Sequence, residues 1–457
     1  MTSPLSAFRI SGGRTFEEAK EVEIVDQLVL PHTVQWETVN TIEGAFAAIK
    51  SMKVRSASYP PVDELTQWAP AIASLASLGI ASELSTLLSG SSSPAFPVSS
   101  LESTPKLLEF LLQQTAYLLT SRPTAVNLLE ALNRIEAVAN STVAEAGATA
   151  EQLAKAVIKV AIEVFEEDKE RCQRIGDNGA DWILNKLEGE GSIEKGEKIA
   201  VLTVCNTGSL ATSGYGTALG VIASLAAKGR LLHAYFAQTG PYQQGARLTS
   251  LELASLGVEN TMVCDTAIGA LIAEKRIHLF VAGADRSVYR SSDFISTRHT
   301  YLIMLRINSY RIAANGDTAN KISTYQISHL CSSPHPFSPN PPVPVLVAAP
   351  VATLDLAMES GRSIVIEQRP SWEACTVRGR VVDVAQMAKS NGTVPQEQEI
   401  EVATVLITPP GTRAWNPAFD VTPAGLISGI VTEFGVAHPS GKDGHYDLQK
   451  FVSANRK

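Results

Sequence analysis

From about residue 200 onward the apolar positions fall in short unbroken runs separated by helix-length stretches, a rhythm that predicts alternating buried strands and helices. The runs are AVLTVC (200–205), LLHAYFA (231–237), NTMVCD (260–265), IHLFVAGAD (277–285), VPVLVAAP (343–350) and VATVLITP (402–409). Continuous apolar runs with helices between them imply an α/β protein with a doubly wound, mostly parallel sheet and right-handed crossovers. Upstream the pattern is different. VEIVDQLVL and TVQWETV, split by a turn at Pro31-His32, predict two strands, and TIEGAFAAIKSM a helix. APAIASLASLGIASELSTLL predicts a second helix, the Ser/Pro-rich stretch from Ser89 to Pro105 a surface loop, and Lys106 to about Leu187 a helical block broken at Ser121-Arg122-Pro123. Within that block Thr124 to Val138 and Glu151 to Gly176 carry apolar residues at helical spacing. The charged turn Glu188 to Lys198 divides the two textures. The expected units are a small N-terminal α+β and helical domain over 1–190, the sheet domain over 191–440, and a polar, loosely ordered tail over 441–457.

Composition narrows the function classes. A chain of 457 residues with 45% hydrophobic residues can bury two or three substantial cores. A net charge of -8 and a pI near 5.6 disfavour a nucleic-acid partner. No apolar run reaches the length of a membrane span, and the start MTSPLSAFRISGGRTFEEAK has no secretory pattern, so no membrane partner is expected; the expected compartment is the cytosol, with the nucleus as a second. Cys172, Cys205, Cys264, Cys331 and Cys375 form no CxxC pair, and the eight histidines form no HxH or HExxH, so neither disulfides nor a metal site is expected.

Candidate chemistry concentrates in Ile199 to Gly220, IAVLTVCNTGSLATSGYGTALG, where the first buried run meets a cysteine, a polar turn and a glycine ladder. The end of such a strand is where open α/β sheets bind ligands. Free N–H groups before a helix suit an anion and favour a thiolate, which makes Asn206, Gly208, Ser213 and Gly214 candidates for a phosphate cradle and Cys205 a candidate base. Gly214-Tyr215-Gly216 with Gly220 approximates a dinucleotide fingerprint with one residue too many, too far from the strand and with no acid to hold a ribose. No Asp or Glu stands between Glu197 and Glu252, whereas Lys198, Lys228, Arg230 and Arg247 do. That balance suits a small phosphorylated ligand; its bland alternative is a solvated basic helix face.

Three more segments should reach the same sheet edge: Gln244-Gly245-Ala246-Arg247, Gly283-Ala284-Asp285-Arg286, and the stretch from Arg311 to Asn320-Lys321. A thiol, an acid, amide donors and a fixed cation suit proton transfer on a phosphorylated metabolite. These residues carry a resemblance. CNTGSLATSGYGTALG, QGARLT, GADR, IAANGDTANKISTYQ, VAAP and NPAFDVTP, with SRPTAVNL upstream, are similar to the methylthioribose-1-phosphate isomerases, relatives of the regulatory subunits of translation initiation factor 2B.

The resemblance covers about residues 7 to 436 and implies a Rossmann-like catalytic domain, a homodimer through that domain, and aldose-ketose isomerisation in methionine salvage without metal, nucleotide or other cofactor. Its substrate would be a small sugar phosphate. Asp285 matches the family's acid and Cys205 its catalytic cysteine, while Arg55, Ser56, Ala57, Arg122, Gln244, Asn320 and Lys321 match positions that hold the substrate. To act as an acid near neutral pH, Asp285 requires burial away from cations. A ribose 1,5-bisphosphate isomerase, which would need a second cationic grip, and a non-catalytic sugar-phosphate or nucleotide sensor remain the alternatives.

The chain departs from that pattern in two places. Arg55 is followed by SASYPPVDELTQW before Ala69-Pro70-Ala71-Ile72-Ala73 resumes, where the family runs on directly; SVYRSSDFISTRHTYLIMLRINSYR separates Arg286 from IAANGD. Each splits a motif internally and neither has the glycine-flanked, polar look of a loop. Both are therefore expected to be translated intervening sequence, and the apolar run LIMLRI beside the proposed acid is an aggregation liability. Gly240 also stands where the family usually has arginine.

Overall fold

The computed structural model describes residues 5–11, 21–51, 53–54, 70–122, 126–284, 312–333, 338–389, 400–440 and 444–455. Both interruptions, and with them Arg55, Ser56, Ala57, Asp285 and Arg286, lie outside these residues. The N-terminal part opens with an antiparallel sheet of β1 (Phe8–Ser11), β2 (Glu21–Val25) and β3 (Trp36–Thr38). Helix α1 (Ile42–Lys50) starts where the Thr41 hydroxyl accepts the Gly44 N–H at 3.0 Å. Then come α2 (Pro70–Leu88), α3 (Thr104–Ser121), α4 (Val126–Ala144) and α5 (Ala150–Gly189). A reciprocal cap between Thr149 and Gln152 starts α5.

Helix α2 corrects one sequence reading: Ala71–Leu88 is long and apolar enough to cross a membrane by length and composition. Its side chains Ile72, Leu75, Leu78, Ile80 and Leu84 are instead buried in the helical core, and Glu83 within it accepts the N–H groups of Ile42 and Ala95 at 2.8 Å. The 40-residue α5 serves two cores. Leu153 to Ile162 belong to the helical one, and Ile175 to Leu187 pack on the sheet.

The sheet domain contains β4 (Ile199–Thr203), α6 (Ala218–Ala227), β5 (Leu231–Ala237), α7 (Ser250–Ser255), β6 (Asn260–Val263), α8 (Ile268–Glu274), β7 (Leu279–Gly283), β8 (Ile312–Ala313), β9 (Thr318–Lys321), α9 (Thr324–Ser332) and β10 (Val345–Ala348). It continues with β11 (Leu354–Asp355), α10 (Ser371–Ala374), β12 (Thr376–Arg380), α11 (Val384–Lys389), β13 (Val402–Leu406), β14 (Phe419–Thr422), β15 (Gly429–Thr432), β16 (Gly435–Ala437) and α12 (Leu448–Asn455). The main sheet has the order β16-β15-β10-β7-β4-β5-β6 and is parallel except for β16. Every residue of β4, β7 and β10 is buried, as expected of strands covered on both faces. At Gly176 and Gly220, α5 and α6 approach so closely that a Cβ on Gly176 would stand 2.7 Å from the Gly220 carbonyl oxygen.

Two expectations fail. VATVLITP does not join the parallel sheet: β13 pairs antiparallel with β12 in a separate two-stranded arm, and the last parallel strand is the short β15. The C-terminal segment is not a loose tail, because Tyr446, Leu448 and Val452 are buried against Ile312, Val347 and Ile430. Tyr446 also covers Gly316, and its hydroxyl donates to the Ile427 carbonyl at 2.8 Å.

Candidate active site

After β4 the chain order moves outward through β5 and β6, then returns to place β7 on the other side of β4. The crevice between the carboxyl ends of β4 and β7 is therefore the switch point at which such sheets bind ligands. Cys205 lies two residues beyond β4, and Ala284, the residue before Asp285, is one beyond β7. Gly283 stands between the neighbouring segments. A Cβ there would meet the Thr207 methyl at 2.7 Å and the Asn320 amide oxygen at 3.8 Å. The Cys205 turn, the chain leading to Asp285 and the Asn320-Lys321 pair thus converge at one sheet edge.

Asn320 and Lys321 sit on β9 within a second sheet of order β11-β8-β9-β14, where Asn320 faces Asp420 and Lys321 faces Phe419 across the antiparallel β9/β14 register. Asn320 donates to the Thr324 hydroxyl at 3.0 Å. Lys321 is 1% exposed, and its ammonium has no hydrogen-bond partner among the described residues. It lies 4.6 Å from the Phe419 ring centroid and 5.2 Å from that of Tyr242, whose other neighbour is the Arg369 guanidinium at 5.5 Å. Arg369 in turn is bonded to Glu367 and Glu373. A buried ammonium packed on two aromatic faces, with no hydrogen-bond partner among the described residues, is a fixed positive charge kept ready for an anion.

Asp420 accepts the N–H groups of Ser323 and Tyr325 at 2.8 and 3.0 Å, which holds Ser323 at φ 89° just past Lys321. Burial pushes its carboxyl up to about 6, against those donors and the nearby Lys321 charge. A folded-state pKa above the unfolded one gives a contribution that is full in acid and is lost as pH rises from the ordinary aspartate value through about 6. Asp420→Asn should abolish that dependence: its melting temperature relative to the parent should be higher at about pH 8 than at about pH 5. An offset independent of pH would refute the assignment.

Around Cys205 the backbone is strained. Cys205, Thr239 and Gln243 have φ of 70°, 64° and 60°, and Thr239 is β-branched, so this left-handed conformation is costly. The three are tied together. Cys205 N–H donates to the Thr239 hydroxyl at 3.0 Å, and Gln243 N–H to the Thr239 carbonyl at 2.8 Å. Asp265 accepts the N–H groups of Thr239 and Gly240 at 2.8 and 2.6 Å. Gln244 is fully buried and leads into a π-helical turn, Gly245–Thr249, whose Thr249 hydroxyl donates to the Cys205 carbonyl. The Cys205 side chain belongs to an apolar cluster with Val25, Leu30, Leu210 and Leu248.

The predicted phosphate cradle is filled from within. Glu252 accepts Ser209 N–H at 2.6 Å, Leu210 N–H at 3.3 Å and the Asn206 amide at 2.9 Å, and the Ser209 hydroxyl lies 2.8 Å from it. Asp168 accepts Ser213 N–H at 2.9 Å, and the Thr212 hydroxyl lies 3.4 Å from Gly214 N. Burial raises both carboxyl groups above the usual range, while these donors oppose it. The glycines make room for the chain itself: a Cβ on Gly208 would fall 2.1 Å from a Glu252 oxygen, and one on Gly216 2.5 Å from Gly208 Cα. Asn206 and Ser213 therefore spend donors on the chain's own carboxyl groups, as do the Ser209 and Leu210 N–H groups, while Gly208 and Gly214 build the turn. Lys228 and Arg230 are likewise paired, with Asp181 and Glu188, at the amino end of β5, so the bland reading holds for both.

Arg122 caps α3 with φ -157° and ψ 78°, the non-helical backbone expected before proline. Val54, the residue before Arg55, is buried; Lys53 O accepts Gln27 N–H at 2.9 Å and Gln27 donates to Leu210 O at 2.8 Å, which ties Lys53 and Val54 to the turn that follows Cys205. Sequence reasoning missed Thr239, Tyr242, Glu252, Phe419 and Asp420 as individual residues. NPAFDVTP and the end of the acid-free run at Glu252 were the available signals. Among the described residues no group of three or more His, Cys, Asp or Glu could hold a metal ion.

The model of the initiation factor 2 subunit family matches residues 97–305 and 307–439, parting inside the second interruption. The methylthioribose-1-phosphate isomerase of Laccaria bicolor is 42% identical over 434 residues, covering 94% of this chain and 97% of that protein. The isomerase of the same name from Aspergillus fumigatus is 40% identical over 457 residues, covering 100% and 99%. The solved 5-methylthioribose 1-phosphate isomerase of Pyrococcus horikoshii OT3 superposes with a TM-score of 0.70 at 26% identity, covering 99% of this chain and 97% of that one. The translation initiation factor eIF-2B delta subunit of A. fulgidus gives 0.66 at 26% identity, with 95% and 96% covered. The chain belongs to the initiation factor 2 subunit family and, within it, to the methylthioribose-1-phosphate isomerases.

Proposed function

We propose that the chain converts 5-methylthioribose 1-phosphate to 5-methylthioribulose 1-phosphate as an aldose-ketose isomerase of methionine salvage. One observation supports this reading beyond the family match: the buried Lys321 ammonium, with no hydrogen-bond partner among the described residues, follows Asn320, which stands beside Gly283 and close to Thr207 at the carboxyl ends of β7 and β4. The anomeric carbon bears a phosphate ester, so the sugar cannot open to a free aldehyde. Asp285 is assigned the proton delivered to the ring oxygen as the C1–O bond breaks. Hydrogen then passes from C2 to C1 while the C2 hydroxyl gives up its proton, which restores the acid form of Asp285, and C2 becomes a carbonyl with Cys205 beside that bond. Lys321 and Asn320, with Gln244, Arg122 and Arg55, hold the phosphate and hydroxyls.

The deciding assay supplies the purified chain with methylthioribose 1-phosphate and, in parallel, ribose 1,5-bisphosphate, using the full sequence and versions lacking residues 56–68 or 287–311. Turnover of the first substrate supports the reading. Turnover of the second alone, or binding without turnover in every version, replaces it with the bisphosphate isomerase or the sensor. Activity confined to the shortened versions supports intervening sequence in this chain.

A homodimer through the Rossmann-like domain is part of the proposal. The β12/β13 arm supports it, because Val405, Leu406 and Ile407 are exposed there and Trp415 nearby is 84% exposed, an apolar surface unusual for a monomer. Leu406→Asp with Trp415→Asp should convert a sedimenting dimer to a monomer; an unchanged sedimentation coefficient would move the interface elsewhere. The cytosol and nucleus are the proposed compartments, and the absence of a disulfide among the five cysteines fits a reducing environment.

A further inference from the structure

We infer that Glu252 is a positioning residue of the active site: its carboxyl stands in the turn after β4 where a bound anion would otherwise sit, and by doing so fixes the backbone that presents Cys205. The inference rests on the assignment of Cys205 to the catalytic machinery. In the turn from Asn206 to Leu210 the Asn206 amide and the N–H groups of Ser209 and Leu210 donate to this one side chain, which is 5% exposed, and the Ser209 hydroxyl lies between it and the Leu5 carbonyl. Gly208 leaves room for the carboxyl and for nothing larger between them.

The same short stretch grips Cys205 twice. Three residues before Glu252, the Thr249 hydroxyl donates to the Cys205 carbonyl, so Cys205 is held from its own oxygen and through the turn that follows it. Cys205 needs that support because its φ of 70° is unfavourable for a residue with a side chain. The constraint continues along the loop: Gly208 bridges Gly216, and the Ser213 hydroxyl contacts the Ser74 hydroxyl of α2 at 2.6 Å. A second consequence concerns the substrate. With the turn filled by the chain's own carboxyl, the phosphate is directed away from the glycine ladder and toward the Lys321 side of the crevice.

The test compares full-length Glu252→Ala, Glu252→Gln and Glu252→Asp with the parent. An amide at this position turns an NH2 toward groups that themselves donate, whereas aspartate keeps the carboxyl on a shorter arm. The measurements are kcat, KM and the rate at which iodoacetamide alkylates Cys205, followed by peptide mass spectrometry with exposed Cys264 as the internal standard. We expect kcat to fall on the order of a hundredfold in Glu252→Ala and Glu252→Gln with KM changed far less, because a displacement near 1 Å suffices for that loss. Cys205 alkylation should change severalfold relative to Cys264. Added formate should occupy the vacated turn in Glu252→Ala and restore both readouts without affecting the parent, and Glu252→Asp should retain more activity than Glu252→Gln.

Folded variants with parental kcat and parental Cys205 alkylation would overturn the inference. So would activity that falls only with the folded fraction while formate does nothing. If Glu252→Ala does not fold, the Gln and Asp variants carry the same comparison. Alkylation and its rescue need no substrate, so a parent chain that fails to isomerise methylthioribose 1-phosphate refutes the proposed function and leaves this result readable.

Discussion

Lys321→Met is expected to raise the melting temperature of the free protein while lowering kcat/KM for the sugar phosphate by about a hundredfold or more. The two effects share one cause. A buried ion without a hydrogen-bonded partner costs several kcal/mol of desolvation, and cation-π contacts return only about 0.5–2 kcal/mol of it. The Phe419 and Tyr242 faces at 4.6 and 5.2 Å, with the charge of nearby Asp420, offset that cost only in part. Methionine has a similar length and suits an apolar site, so it keeps the packing and removes the charge. Each kcal/mol recovered should raise the melting temperature by about 1 °C in a chain of 457 residues unfolding as one unit, and by about 2 °C if the sheet domain unfolds alone. Inorganic phosphate should stabilise the parent and not the variant, since ligand binding to the folded state raises its apparent stability. Calorimetry with and without phosphate, beside steady-state kinetics, checks all three. A variant with the parental melting temperature and KM would mean that Lys321 is a structural cation.

The parallel sheet was legible because its central strands are buried throughout, and the physical signature of that burial is an unbroken run of Val, Leu, Ile and Ala. The same signature misled at β13. VATVL has the composition of a core strand, yet Val402, Val405 and Leu406 are all exposed on an arm, and composition does not say whether an apolar surface is covered by its own chain. The strand β15 went unseen because Gly429–Thr432 is too short to stand out beside Pro423 and Gly425. In the C-terminal segment the polar residues dominated the reading, while Leu448, Phe451 and Val452 already lay at helical spacing for one face of α12.

The site was legible in its landmarks and illegible in its supports. Cys205 was placed by sheet logic, because a residue just past a parallel strand must reach the carboxyl edge, whereas the Asn320-Lys321 pair lies on β9 of the second sheet and was marked by the family's motif. Glycines gave a less reliable signal. A glycine permits close approach without saying by what, and at Gly208 and Gly216 the approaching groups are Glu252 and Gly208 itself. Net charge misled in the same way: Lys228 and Arg230 are close in sequence to the strand end, but a strand's two ends face opposite edges of the sheet, and both cations pair with acids of α5. Glu252 ended the acid-free run that suggested a phosphate site, and it is the group that occupies the turn.

Asp285→Asn should reduce kcat by about 10²–10⁴-fold while leaving substrate binding measurable, the loss expected when a positioned general acid is removed. Asparagine preserves the shape and can still donate a hydrogen bond, but it cannot deliver a proton to the ring oxygen as the C1–O bond opens. Asp285 itself lies outside the described residues, and the prediction rests on the family match together with what precedes it. All five residues of β7 are buried, Ala284 is buried, and Gly283 is confined between Thr207 and Asn320. Ala284 thus stands at the switch point beside the Cys205 turn, a place where desolvation favours a protonated carboxyl. Titration calorimetry with unreacted methylthioribose 1-phosphate would measure binding in the variant, since slow turnover leaves the substrate intact. Near-parental turnover would remove Asp285 from the chemistry and leave Cys205 as the remaining candidate for proton transfer. The comparison should also be made in the version lacking 287–311: if that segment displaces Asp285, the variant's loss will be small in the full chain and large in the shortened one.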